Sequence, residues 1–182
     1  MRAMRWLLVT ASLALAAVAT SGCAASAPPE QPAPAPLFAS DEEAFAAAEA
    51  TYRAYEDASN AIDLAAPGTF EAAVDFTVGE FNALEREGFS RLHSEGITKL
   101  GETRVVYVKP QQLAKDHSTI ELAVCSDVSA LDLIDAKGAS TVNPARMDVQ
   151  PFTVFLERSS SSPTGWLING VSAHSGVPGC GS

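Results

Sequence analysis

Beyond residue 40 the hydrophobic period of the chain changes once, from about 3.6 to two. Apolar or small residues first recur at Phe45, Ala48, Tyr52, Tyr55, Ser59 and Ile62, steps of three and four that keep one face of a helix apolar. Ser40 ahead of Asp41, Glu42 and Glu43 supplies an N-cap and carboxylates suited to the positive end of the helix dipole. "APG" at 66–68 is expected to end this helix. A second helical stretch is expected over residues 69–93, with Phe70, Val74, Phe81, Leu84 and Leu92 turned inward. Gly79 and Gly88 should break or bend it into two or three pieces.

The period of two then takes over. "ITKLGETRVVYVKP" carries a β-branched and aromatic run that is expected to stop at Pro110, and "STIELAVCSDV" sets Ile120, Leu122 and Val124 on one face against Glu121, Ala123 and Cys125 on the other. Asp135, Ala136, Lys137 and Gly138 have turn composition. Further strands are expected in "MDVQPFTVFLER" and "GWLINGVSA", separated by "SSSSPTG". Helices followed by about four turn-linked strands predict an α+β domain, with the N-terminal helices packed on an antiparallel sheet.

The first 40 residues follow different rules. Arg2 and Arg5 precede an apolar run over residues 6–19 broken only by Thr10 and Ser12, the pattern of a secretory signal. It is short for a spanning helix, which takes about 20 apolar residues. The next residues, Thr20, Ser21, Gly22 and Cys23, resemble the lipobox of bacterial lipoproteins, although Thr20 stands where leucine is preferred. The resemblance implies cleavage after residue 22 and a lipid on Cys23. "ASA" at 25–27 offers an alternative A-x-A cleavage site. Residues 23–39 are rich in proline and alanine, a composition that favours an extended stalk over a packed core, so a single folded domain is expected over 40–182.

Composition narrows the partners. With residues 1–22 removed the chain keeps ten basic and twenty-two acidic residues, a net charge of −12, which argues against nucleic acid because phosphate contacts need a basic face. His93, His117 and His174 are scattered, and Asp127, Asp132 and Asp135 lack the spacing of a calcium loop. No metal or cofactor is expected. Lipidation or removal of Cys23 leaves Cys125 and Cys180, an even pair in an oxidising compartment and hence a candidate disulfide. The alternative is two buried free thiols.

Helices with paired tyrosines followed by an antiparallel sheet, in about 140 residues, resemble the cone-shaped fold of nuclear transport factor 2-like (NTF2-like) and steroid-isomerase-like proteins. "AEATYRAYEDASNAID", "TFEAAVDFTVGEFNA", "AVCSDVSALDLIDAKG" and the closing "GWLI…C" are similar to small secreted lipoproteins of Gram-positive bacteria, a family without an assigned activity. The resemblance implies a curved sheet and a place on the extracellular face of the cell membrane. The cone fold hosts both enzymes and inert binding modules.

Two functions follow. As a binding module, a lipid anchor, a stalk and an acidic domain would present a surface to an envelope protein or a small apolar ligand. As an enzyme of isomerase, dehydratase or hydrolase type, the cone would enclose a pocket with a buried carboxylate as base, for which Tyr52, Tyr55, Asp75 and Trp166 are the candidate lining residues. Each also has a plain structural role: the tyrosines lie on the apolar helical stripe, Asp75 suits a solvent face, and Trp166 suits a core anchor. The sequence has no G-x-S-x-G, phosphate loop or dinucleotide fingerprint, so no catalytic residue is assigned and the binding module is preferred.

Overall fold

Helix α1 (Asp41–Asn60) starts where its cap pattern places it in a computed structural model that describes residues 37–173 and 180. The signal segment, Cys23, His174 and the stalk before residue 37 lie outside the described residues. Ser40 is extended, and its hydroxyl accepts the Glu43 N–H at 3.2 Å. The Glu43 carboxylate returns to the Ala39 N–H at 2.7 Å, so two orphan donors are satisfied reciprocally.

The helix ends at Asn60, before the expected "APG" stop. The Asn60 carboxamide pairs with both backbone groups of Thr103, at 2.8 and 2.9 Å. Lys99 Nζ donates to the Ser59 and Asn60 carbonyls at 2.6 and 2.8 Å. The last turn of α1 has no basic residue of its own, so Lys99 brings the cation to the negative end of the dipole from elsewhere in the chain. Ile62 falls beyond the helix and is buried with Leu64, and Pro67 opens a single 3-10 turn (Pro67–Thr69).

The second helical stretch divides into α2 (Glu71–Val74) and α3 (Gly79–Ser94). Gly79 marks the break with φ +64°, a conformation that costs glycine little. Gly88, expected as a second break, lies within α3 without interrupting it.

Strands β1 (Thr98–Leu100) and β4 (Asp132–Ile134) form a short ribbon. Strands β2 (Arg104–Leu113), β3 (Thr119–Asp127), β5 (Val149–Arg158) and β6 (Trp166–Ala173) form an antiparallel sheet in the order β2-β3-β5-β6. Strand β2 continues past Pro110, where it was expected to stop. It is an edge strand with a register shift between Pro110 and Gln112, the setting in which a strand accommodates proline.

The period-two pattern separates the faces of β3. Ile120, Leu122 and Val124 are buried in the main core with Ala44, Ala48 and Tyr52. Cys125 lies on the opposite face with Tyr107, Ala123 and Val149, and its disulfide to Cys180 spans 5.3 Å between Cα atoms. The first core residue is Phe38, which composition had assigned to the stalk. Its ring stacks on Trp166 at 5.2 Å, and hydrophobic contact rather than local composition decides its place.

The ends of the sheet differ. At one end, where the described chain begins, the Trp166 indole donates to the Ala44 carbonyl at 3.0 Å, His117 meets Asp41 at 2.8 Å, and the Arg158 N–H donates to the Ser118 carbonyl. At the other end lie the C-terminus of α1, the β1–β2 turn and the connections on either side of β4. Gly101 is fixed in that turn by a φ of +72°, and a Cβ there would sit 1.9 Å from the Ala130 carbonyl oxygen. Gly101→Ala should therefore cost about 2 kcal/mol or more in urea denaturation.

Candidate functional site

Alpha-helical spacing places Tyr52 and Tyr55 side by side at the inner surface of α1, with ring centroids 6.2 Å apart. The Tyr52 hydroxyl donates to Glu56 Oε1 at 2.6 Å, one helical turn along, and lies 3.2 Å from the Ser126 hydroxyl of β3. The Tyr55 hydroxyl crosses to α3 and donates to Glu85 Oε2 at 2.7 Å. Two phenol–carboxyl pairs thus tie α1 to the sheet and to α3.

Burial dominates the electrostatics of this cluster. It raises both phenols far above their ordinary range, helped by the adjacent carboxylates. It also raises the Glu56 and Glu85 carboxyls against the opposing effect of the tyrosine hydrogen bonds, and the charge of Glu85 raises Glu56 further. Lys99, lowered by its own desolvation, is the cation that acts on Glu56.

Glu56 also forms part of a groove of about 350 Å³ between α1 and the start of β2, lined with Arg53, Asp57, Asn60, Glu102 and Arg104. Both arginines are engaged: Arg53 with Glu49 and the Val105 carbonyl, Arg104 with Asp127. Asp127 falls to about 2, held there by the Ser129 hydroxyl and N–H and by Arg104. Two larger grooves flank the loop between β4 and β5. One, of about 590 Å³, is lined by Met147, Pro151, Phe152 and Ala173, and the other, of about 560 Å³, by Leu131, Asp132, Pro144 and Asp148; Arg146 borders both. The Arg146 guanidinium donates to the Val128 and Leu131 carbonyls, both at 2.8 Å, and so holds this loop against the neighbouring connection.

Of the four candidate lining residues, the structure brings Tyr52 and Tyr55 together. Trp166 is fully buried at the end where the described chain begins, and its polar atom is used by Ala44. Asp75 is exposed at the C-cap of α2, because this short helix buries Ala73 and Val74 and turns its next residue to solvent. Glu56 and Glu85 were missed in the sequence. The i,i+4 relation of Tyr52 to Glu56 could have revealed the first, but nothing local connects Tyr55 to Glu85, thirty residues on. Among the described residues no group of three or more His, Cys, Asp or Glu side chains could hold a metal ion.

No protein-family model matches the sequence, and no curated protein matches it. Solved structures do. The intermembrane-space region of the chloroplast protein ARC6 superposes with a TM-score of 0.50 at 14% identity, over 71% of this chain and 95% of that one. The domain has the NTF2-like cone fold. A proposed aromatic ring hydroxylase from Novosphingobium aromaticivorans gives a TM-score of 0.48 at 14% identity, over 74% of this chain and 96% of that one. VirB8 of Agrobacterium tumefaciens gives 0.38 at 10% identity, over 74% and 96%. At such identities the likeness concerns the fold alone.

Proposed function

We propose that this chain is an envelope lipoprotein, anchored through a lipid on Cys23 to the extracellular face of a bacterial membrane, whose cone domain is a non-catalytic module that binds another envelope protein. The observation that carries this reading is the separation of the domain's two ends. The described chain begins at Leu37, beside Trp166, whereas the grooves lined by Arg53, Arg146 and Met147 lie at the other end of the sheet. A tether joined at Leu37 would meet the domain at the end opposite those grooves.

The polar atoms of the interior support the same reading. The tyrosine hydroxyls bond to Glu56, Glu85 and Ser126, and the indole N–H to Ala44, so these groups serve packing in place of a small apolar ligand. One observation favours a cone-fold enzyme instead: Glu56, with its raised carboxyl, borders a groove as a general base would. Its Oε1 is already taken by Tyr52.

Site-specific photocross-linking in intact cells tests the proposal. A cross-linker at Met147, which is 61% exposed, should give a discrete protein adduct that survives Glu56→Gln, while one at Lys115, in the β2–β3 turn, should not. Equal labelling from both positions, or no adduct from Met147, would contradict it.

A further inference from the structure

Helix α3 differs from α1 in its hold on the domain. None of its sixteen residues is buried, whereas α1 buries five. Phe81, Phe89 and Leu92 pack half-exposed on the core. Helix α3 also packs along β6, and its polar ties are Asn82 Nδ2 to the Val74 carbonyl at 3.0 Å and to Thr77, Arg86 to Glu71, and His93 Nδ1 to the Leu64 carbonyl at 2.7 Å. The tie to α1 is Tyr55–Glu85. Beneath the helix lies a layer of aromatic rings, with Tyr55 6.5 Å from Phe81 and Phe70 5.5 Å from Phe89.

From this geometry we infer that α3 is a pH-responsive flap over the aromatic layer, closed while Glu85 is protonated and loosened when Glu85 carries a half-buried charge whose cost its hydrogen bond from Tyr55 only partly offsets. A half-buried carboxylate between two helices is costly without a counter-ion. From α1, Tyr55 bonds Glu85 and the acidic Glu56 lies close enough for the charge of Glu85 to act on it. Its helix neighbour Arg86 is committed to Glu71, and Lys99 of β1 bonds to the end of α1 and acts on Glu56. Lifting α3 returns Glu85 to water and separates it from Glu56.

The sign follows from proton binding. Glu85 and Glu56 are raised in the folded domain, so the closed form binds more protons than the open one. Its advantage is complete below the ordinary carboxyl range and is lost as pH rises through the raised values. Such an opening is a local event, smaller than global unfolding. His93 lies on the same helix, so it needs its own control.

Amide hydrogen exchange on the full chain, corrected for intrinsic rates, tests this. Lowering the pH from about 7.5 to about 5 should increase protection of the α3 amides severalfold and leave those of β3 and β5 nearly unchanged. Glu85→Gln should give high α3 protection at both pH values, while His93→Asn should retain the pH response. Tyr55→Phe should lower protection at both. A pH response that persists in Glu85→Gln, disappears in His93→Asn, or extends equally to β3 would overturn the inference.

Discussion

Cys180→Ser will lower the unfolding free energy of the domain by about 4 kcal/mol, and Cys125→Ala will do nearly the same. The bridge closes a loop of 55 residues that contains β4, β5 and β6, and the loop-entropy relation gives that magnitude for such a length. The effect reaches the folded side as well. Cys180 covers Cys125 on the sheet face away from the helices, where Tyr107, Ala123 and Val149 complete a small cluster. Its loss uncovers part of that face. Urea denaturation of oxidised wild type and both variants measures the difference, and the double variant should be little worse than either single one because the same bond is lost. A loss below about 1 kcal/mol would mean that the bridge scarcely constrains the unfolded chain.

Trp166→Ala should be comparably damaging, at about 4 kcal/mol. The side chain is fully buried, stacks on Phe38 and donates to the Ala44 carbonyl. Truncation opens a cavity, removes the support of the first core residue and takes from the Ala44 carbonyl the bond it receives beyond its helical one. Trp166→Phe keeps most of the volume and loses the N–H, so about 1–2 kcal/mol is expected. Phe38→Ala combined with Trp166→Ala should cost less than the sum of the two, since the stacking contact is removed only once. Additive losses in urea denaturation would show that Phe38 does not depend on Trp166.

The sequence reading succeeded where local pattern and tertiary environment agree. The cap at Ser40, the two-faced pattern of β3 and the turn at Asp135–Gly138 rest on local residue type and spacing, and each is present. It failed where distant residues decide. Alpha-helix α1 ends at Asn60 because Thr103 and Lys99 meet it there. Pro110 is tolerated because β2 happens to be an edge, a property of strand order that no single strand records. Phe38 looked like stalk because the segment before it is rich in alanine and proline, yet Trp166, 128 positions away, holds it in the core. Glu85 could not be found for the same reason. The apolar spacing of α3 pointed to Leu84 beside it, which is exposed, and only the fold brings Glu85 to Tyr55.

The central claim is an anchored, non-catalytic binding module, and native mass spectrometry of the mature protein isolated from its own cells in mild detergent tests it most directly. The predicted species begins at a diacylated Cys23, carries one intact disulfide and holds a second polypeptide that dissociates before any small molecule appears. A chain beginning at Pro28 without lipid, or one that retains a small organic ligand and no protein partner, would contradict the account.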